Sequence, residues 1–161
     1  MDKERKDINV ERSKDIHIVD ISSKEVVSRI SIAEGKIVLK KSTIKLIKKG
    51  EIKKGDVLAV AQIAAIQAVK HTWEIIPLCH NIPIEGVEVN FKVNNDSIRV
   101  ICKVRSTYKT GVEMEALSGV SAALLAIWDM TKYLEKDRYG KYTNTKIENN
   151  RLIEKIKTNK N

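Results

Sequence analysis

The chain has 161 residues, about the length of one domain, and its 42% hydrophobic content allows a sizeable core. No apolar run approaches the ~20 residues of a membrane helix, and with only 4% aromatic residues a base-stacking surface for nucleic acid is hard to build. The net charge is +9, and eight lysines stand against one acid between Lys36 and Lys54. This excess indicates either a binding surface for an anion, such as a triphosphate, or a merely solvated surface.

The chain is predicted to consist of three parts. Residues 1–15 alternate charge signs without the apolar stretch of a secretory signal, so we expect a solvated tail. Residues 16–157 are expected to form a single domain, and residues 158–161 a C-terminal tail. Cys79 and Cys102 are the only cysteines, and without an export signal both are expected as free thiols in the cytoplasm.

The first half of the chain predicts a strand region and two helices. Residues 26–40 alternate apolar and polar side chains around Glu34-Gly35, which indicates paired strands or one bent strand. "STIKLIKKG" predicts a short helix, capped by Ser42 and ended by Gly50. An alanine-rich helix is predicted over Val57–Lys70 with Asp56 as its N-cap, and its small side chains permit close packing.

The second half predicts a loop, a hairpin, a long helix and a last strand. Pro77 and Pro83 shape the loop "IIPLCHNIPIEGV". Alternating apolar residues after it, a turn at "NND" and the stretch "SIRVICKVRS" predict the hairpin. The long helix starts at a Thr110–Glu113 capping box, and "TKIENNRLIEKIK" predicts the last strand.

The element order is therefore β, α, β, β, α, β. This order is typical of the ferredoxin-like α+β fold, an antiparallel sheet with helices packed on one face. The other face of so small a sheet stays open, and we expect a homo-oligomer to cover it.

Few residues in the loop suit metal or thiol chemistry. The chain has two cysteines and three histidines, whereas a zinc site normally needs three or four ligands, so no metal site is expected. Cys79 and His80 are adjacent and point to opposite sides of an extended loop. We interpret Cys79 as a small packing residue, and His80 either as bonded to backbone or as a ligand contact.

Charged residues near the helices are the other candidates. Asp129 and Lys132 share one helix face, as a surface ion pair or as an acid–base couple. Lys54 precedes a helix and neighbours Lys53, which disfavours its protonated form and suggests a general base or an anion clamp. Glu113 and Glu115 lie in the predicted first turn of the long helix, where the helix dipole favours acidic residues. An alternative interpretation is that these carboxylates, next to a glycine turn, bind a polar heterocycle.

Several stretches together resemble one known family. "KGDVLAVAQIAAIQAVKHTWEIIPLCH", "TGVEMEAL" and the Asp-Met-x-Lys of "DMTK" occur in order, and they resemble the MoaC family, cyclic pyranopterin monophosphate synthase of molybdenum cofactor biosynthesis. The resemblance covers roughly Ile18 to Lys155. "EKIKTNKN" keeps Lys155 at the first lysine of a family tail motif but lacks the glycines of that motif.

The resemblance implies a fold, an assembly and a reaction. The family is ferredoxin-like and forms hexamers, as trimers of dimers, with active sites at subunit interfaces. It converts 3′,8-cyclo-7,8-dihydro-GTP, supplied by an upstream radical-SAM GTP cyclase, into cyclic pyranopterin monophosphate and pyrophosphate. No cofactor is implied, with Mg²⁺ only as a phosphate counter-ion, and neither nucleic acid nor membrane is an expected partner.

The resemblance also assigns roles to residues. Asp129, Lys132 and Lys54 match the catalytic positions, and Lys70 matches a basic position for the phosphates. The substrate-binding positions are matched by Leu78, Cys79, His80, Glu113, Met114, Glu115 and Lys155. The alternative is a nucleotide- or nucleic-acid-binding module on the same basic scaffold, which would not need the Asp129–Lys132 pair.

Overall fold

The computed structural model describes residues 16–158, so the predicted tail at residues 1–15 lies outside the described part of the chain. The elements follow in the order β1 (Val27–Val38), α1 (Lys41–Lys49), α2 (Val57–Lys70), α3 (Thr72–Ile75), β2 (Gly86–Val93), β3 (Ser97–Tyr108), α4 (Glu113–Glu135) and β4 (Lys146–Thr158). Within this range no helix combines the length and the apolar character that a membrane crossing requires.

The four strands form one antiparallel sheet in the order β2-β3-β1-β4. Helix α4 packs against β1, β3 and β4, and α2 packs beside α4 and against β2. Along β3, Val100, Cys102 and Val104 are fully buried, whereas Lys103 and Arg105 alternate with them and are more exposed. This arrangement confirms the predicted ferredoxin-like α+β fold, with one face of the sheet covered by helices.

The stretch around Glu34-Gly35 is one bent strand and not a hairpin. β1 pairs with β3 without interruption, but its register against β4 shifts between Ile32 and Ala33 and again between Glu34 and Lys36. A Cβ atom at Gly35 would lie 2.7 Å from Val120 Cγ1. The glycine therefore allows α4 to lie directly on the bend of β1.

Two of the four predicted helix ends are confirmed. Asp56 Oδ1 accepts hydrogen bonds from the backbone N–H groups of Leu58 (2.9 Å) and Ala59 (3.0 Å), so it caps α2 as expected. Gly50 ends α1 in the left-handed conformation at a φ of 70°, which glycine adopts without strain.

The other two predicted caps are wrong. Ser42 lies inside α1, which begins at Lys41. Thr110 does not cap α4, which begins at Glu113, and no side chain forms a cap hydrogen bond there. In both places a residue distant in sequence binds the groups at the helix end, so the local pattern was misleading.

A buried carboxylate joins the start of α1 to the end of α4. Glu135 is only 2% exposed and accepts hydrogen bonds from the backbone N–H of Lys40 and from the hydroxyls of Thr43 and Thr145. In return, Lys40 Nζ donates to two carbonyl groups at the end of α4, at 2.9 and 3.0 Å. A negative group at the N-terminus of one helix and a positive group at the C-terminus of the other both complement the helix dipoles.

Small residues set the spacing between α2, α4 and the sheet. Ala61 and Ala65 of α2 are fully buried, which confirms that the alanines permit close packing. A Cβ atom at Gly119 of α4 would lie 2.8 Å from both Cys102 Sγ and Val69 Cγ2. The core is therefore packed too tightly at this point for any larger residue on α4 without movement of its neighbours.

We expect Glu135→Ala to destabilise the protein by about 3 kcal/mol, because two buried hydroxyls and one partly buried N–H lose their acceptor and a cavity is left. Guanidinium unfolding at fixed protein concentration measures the change. The exposed Glu154→Ala on β4 is the matched control. Equal unfolding midpoints for the two variants would show that the buried carboxylate does not join α1 to α4 as described.

Candidate active site

A cavity of about 580 Å³ lies at the N-terminal end of α4. Three segments that are distant in sequence form most of its wall: the stretch before β1, the proline-shaped loop and the first turns of α4. The lining residues are Val19, Ile21, Lys24, Leu78, Cys79, His80, Ile82, Thr110, Gly111, Glu113, Met114, Glu115, Leu117 and Leu152. Six of the predicted substrate-binding residues are thus brought together in one pocket.

His80 holds the loop against the segment that precedes β1. Its Nε2 lies 2.8 Å from the backbone carbonyl oxygen of Val19. Because a carbonyl only accepts, Nε2 carries the proton and donates it. The backbone bond, one of the two alternatives for His80, is present, and the ring also lines the cavity. The sequence "VDIS" at the start of the Val19–Lys24 wall also resembles the family, but no residue of this wall was assigned to the site.

Glu115 is the buried acid of this cavity. Its side chain points inward from the first turn of α4, and the residue is only 3% exposed. Burial raises the pKa of Glu115 to about 7, and the neighbouring charge of Glu113 acts in the same direction. Near neutral pH this carboxyl group can therefore either give or take a proton. The helix dipole would favour the ionised carboxylate, so the raised pKa has its cause in burial.

Glu113 links the cavity to the last strand. Its carboxylate forms a salt bridge with Lys155 of β4, which brings this predicted lysine to the edge of the pocket. The same carboxylate folds over Gly111, where an added Cβ atom would overlap it. A larger residue at position 111 would therefore displace the end of the Glu113 side chain, and Glu113 is held by Lys155 instead of by Thr110.

Both cysteines are free thiols whose surroundings favour the protonated form. Burial raises the pKa of Cys79, with a further contribution from Glu115, and burial raises the pKa of Cys102 to about 12. Cys79 lines the cavity and Cys102 lies in the core beneath Gly119. Among residues 16–158, His, Cys, Asp and Glu side chains form no cluster of three or more that could hold a metal ion.

A second polar cluster lies near the C-terminal end of α4. Lys132 Nζ is 2.7 Å from Asp129 Oδ1, and Lys54 Nζ is 2.8 Å from Asp129 Oδ2. These bonds, the one from Lys132 first, lower the pKa of Asp129 to about 2. The Asp129 carboxylate in turn raises the pKa of Lys132. The three exposed side chains thus carry one negative and two positive charges at neutral pH.

Lys54, expected as a general base or an anion clamp, contacts Asp129 from the loop before α2. It donates to both the carboxylate and the backbone carbonyl of Asp129, at 2.8 and 2.9 Å. Tyr133, which sequence reasoning missed, positions the loop: its hydroxyl oxygen accepts from the backbone N–H of Lys53 at 3.0 Å.

An apolar wall lies beside these charges. Asp129 and Lys132 line a shallow groove of about 340 Å³ together with Leu125, Trp128 and Ile147. Trp128 contacts Tyr142 edge to face, with ring centroids 5.8 Å apart. The groove therefore offers an aromatic surface next to two ammonium groups, a combination that suits a planar ligand with an anionic substituent.

The two clusters lie at opposite ends of α4. Glu115 and Asp129 are about 21 Å apart along its axis, since an α-helix rises about 1.5 Å per residue. Lys70 belongs to neither cluster: it lines a separate cavity of about 390 Å³ with Ile66, Ile82 and Glu85. One copy of the chain thus does not bring the predicted catalytic and substrate-binding residues together.

Comparison with known proteins decides the family. The model of the MoaC family matches residues 18–158. The chain belongs to the MoaC family. It is 59% identical to a probable cyclic pyranopterin monophosphate synthase of Pyrococcus horikoshii over 145 residues, covering 90% of this chain and 91% of that protein. A protein of the same description from Thermococcus kodakarensis is 54% identical over 152 residues, covering 94% and 97% of the two chains.

A third relative carries a slightly different description. The probable cyclic pyranopterin monophosphate synthase accessory protein of Methanothermobacter thermautotrophicus is 56% identical over 144 residues, or 89% of this chain and 91% of that one. The resemblance drawn from the sequence motifs is confirmed. The MoaC match begins at residue 18 and ends at residue 158, so it includes the Val19–Lys24 wall of the cavity as well as Lys155.

Glu115 should make stability depend on pH. Its pKa of about 7 lies above the ordinary 4.5, so the folded chain holds this proton more tightly than the unfolded chain. The stabilisation is complete below pH 4.5 and is lost as the pH rises through about 7. Relative to Glu115→Gln, which cannot titrate, the wild type should lose about 3 kcal/mol at most across this range.

Guanidinium unfolding of both proteins at a series of pH values, at one fixed protein concentration, measures this difference. A constant difference between wild type and Glu115→Gln from pH 4.5 to pH 8 contradicts a carboxyl group that titrates near neutrality.

Proposed function

We propose that this chain is a cyclic pyranopterin monophosphate synthase, a lyase of molybdenum cofactor biosynthesis. It converts 3′,8-cyclo-7,8-dihydro-GTP into cyclic pyranopterin monophosphate and pyrophosphate. The observation that carries the proposal is the MoaC match over residues 18–158, with relatives of this description at 54–59% identity. Both polar clusters lie within the matched residues.

The chemistry of the proposed reaction suits the groups in the two clusters. Opening the purine ring and closing the pterin ring requires serial proton transfers, and Glu115 with a pKa of about 7 is matched to that task. Lys132, whose pKa Asp129 raises, is an ammonium group at neutral pH and serves as a proton donor or a cation. Closing the cyclic phosphate forms one P–O bond and breaks another, and the departing pyrophosphate is stabilised by Lys54 and Lys132.

The site is completed by a second copy of the chain. Because Glu115 and Asp129 are about 21 Å apart along one rigid helix, a substrate that contacts both clusters lies between two subunits. Exposed apolar residues on α2, Val60 and Ile63, and the open face of the sheet offer surfaces for assembly. We propose a homohexamer, a trimer of dimers, with its active sites at the interfaces.

The remaining context is part of the same proposal. The whole chain has three histidines and two cysteines, few ligands for a metal cofactor that normally needs three or four. We therefore propose acid–base chemistry, with Mg²⁺ as a phosphate counter-ion only. The substrate is a small nucleotide derivative that an upstream radical-SAM GTP cyclase supplies. Two free thiols fit a reducing compartment, and we assign the reaction to the cytoplasm.

Incubation of stoichiometric protein with the cyclised GTP in the presence of EDTA tests the function. Pyranopterin and pyrophosphate should appear together in a single turnover. The alternative, a nucleotide-binding module on the same scaffold, predicts that the compound binds without release of pyrophosphate. That outcome would overturn the proposed lyase activity.

Lys132→Ala should lower turnover by roughly 100-fold, the usual effect of removing a general acid–base residue. The unfolding midpoint should change little, because the Asp129–Lys132 pair is exposed. Lys132→Arg keeps the charge but holds its proton, so steady-state kinetics of the two variants separate the roles. Activity restored by arginine identifies an anion clamp, and near-normal turnover of Lys132→Ala contradicts any catalytic role.

Subunits mutated in different clusters should complement each other. Lys132→Ala and Glu115→Gln are each expected to be nearly inactive, but co-expressed subunits should regain about a quarter of wild-type activity, because each half of a shared site is intact about half the time. Light scattering should give several times the chain mass of 18.2 kDa. A fully active monomer, or mixed oligomers as inactive as the parents, excludes a site shared between subunits.

A further inference from the structure

The exposed face of α1 carries four lysines that neither polar cluster uses. Lys41, Lys45, Lys48 and Lys49 are all exposed, whereas Ile44, which lies beside them at the base of the same helix face, is 1% exposed. Three of the lysines, at positions 41, 45 and 48, line one small cavity of about 270 Å³ with Asn95. We refer to these four lysines as the lysine face.

The lysine face differs from parts of the sheet where lysines have acidic partners. On the sheet, Lys36 binds Glu148 at 2.9 Å and Lys103 binds Glu88 at 3.2 Å. Within residues 16–158, the salt bridges include none of the four lysines of α1. Uncompensated positive charge is thus concentrated on this helix.

This concentration of charge works against the stability of α1. Lys41 and Lys45, and likewise Lys45 and Lys49, are four residues apart, where like charges repel each other on a helix. The first turn contains no acidic residue that would offset them. Lys48 and Lys49 in the last turn complement the helix dipole, but Lys41 and Lys45 do not, and burial of Ile44 with the contacts of Glu135 holds the start of the helix in place.

The lysine face lies close to the cluster at the C-terminal end of α4. Glu135 fixes the start of α1 against the end of α4, and the loop that follows α1 carries Lys53 and Lys54. Lys54 binds Asp129 directly. Glu135 and Asp129 are about 9 Å apart along α4, which is within the screening length of about 10 Å at 0.1 M salt, so the start of α1 is electrostatically coupled to this cluster.

We propose that the lysine face is a steering surface for the polyphosphate chain of the substrate, and that it guides this chain to Lys54, Asp129 and Lys132. The proposal rests on the proposed function, which supplies a triphosphate as substrate. The form of the surface favours a polyphosphate over nucleic acid: α1 extends only about 13 Å and its sequence, "KSTIKLIKK", has no aromatic residue or arginine. Such a field raises the rate of encounter without taking part in the reaction.

The test compares two variants with the same change in net charge. Lys45→Gln/Lys48→Gln removes two charges from the lysine face, and Lys103→Gln/Lys157→Gln removes two from the sheet, away from α1. The first variant should lower kcat/KM roughly 3- to 10-fold at low salt with kcat unchanged, and the difference should vanish near 1 M salt, where screening is complete. The control variant should stay within about twofold of wild type. Lys103 and Lys157 pair with Ile32 and Arg29 of β1, about 20 and 30 Å from the end of β1 that leads into α1, which is more than a screening length.

Calorimetric binding of inorganic tripolyphosphate provides a readout that does not require turnover. Affinity should fall in Lys45→Gln/Lys48→Gln and not in the control variant. Equal effects in the two variants, or none in either, overturn the steering surface whether or not the enzyme is active. If the wild-type protein shows no turnover but tripolyphosphate binding is lost selectively in Lys45→Gln/Lys48→Gln, the anion surface is supported and the proposed lyase function is contradicted.

Discussion

The close contact of α4 with the sheet is the constraint on which the other features depend. Gly119 lets the helix approach Cys102 and Val69, and Gly35 lets the bend of β1 pass beneath Val120 and Leu124. A larger residue at either position would lift the helix from the sheet. Because α4 carries a polar cluster near each end, its position in the core also fixes where both halves of the candidate site lie.

The two ends of this helix shift the pKa values of their carboxyl groups in opposite directions. Glu115 lies in the buried first turn, where loss of solvation raises the pKa of its carboxyl group to about 7. Asp129 lies on the exposed side near the other end, where Lys132 and Lys54 lower its pKa to about 2. Near neutral pH one carboxyl group can exchange a proton while the other holds two ammonium groups in place.

Sequence patterns predicted what local interactions determine. The bounds of α2 and its Asp56 cap, and the alternation along β2, depend on neighbouring residues and were confirmed. The caps at Ser42 and Thr110 were wrong because contacts distant in sequence set both helix ends. Glu135 binds the backbone N–H of Lys40 before α1, and Lys155 binds the Glu113 carboxylate that was expected to close the box with Thr110. The contact of Lys54 with Asp129 likewise depends on the tertiary fold, and no spacing in the sequence reveals it.

The proposed division of the site between subunits has a consequence for how a substrate is enclosed. Within one chain the distance between the two clusters cannot change unless α4 bends, and its tightly packed face contains no proline and no break. Any closure around the substrate therefore has to occur between copies of the chain, or in the loops that carry His80 and Lys54. His80 and Tyr133 tie these loops to the rest of the chain through backbone hydrogen bonds, so the proposed assembly leaves movement between copies of the chain as the main route to closure.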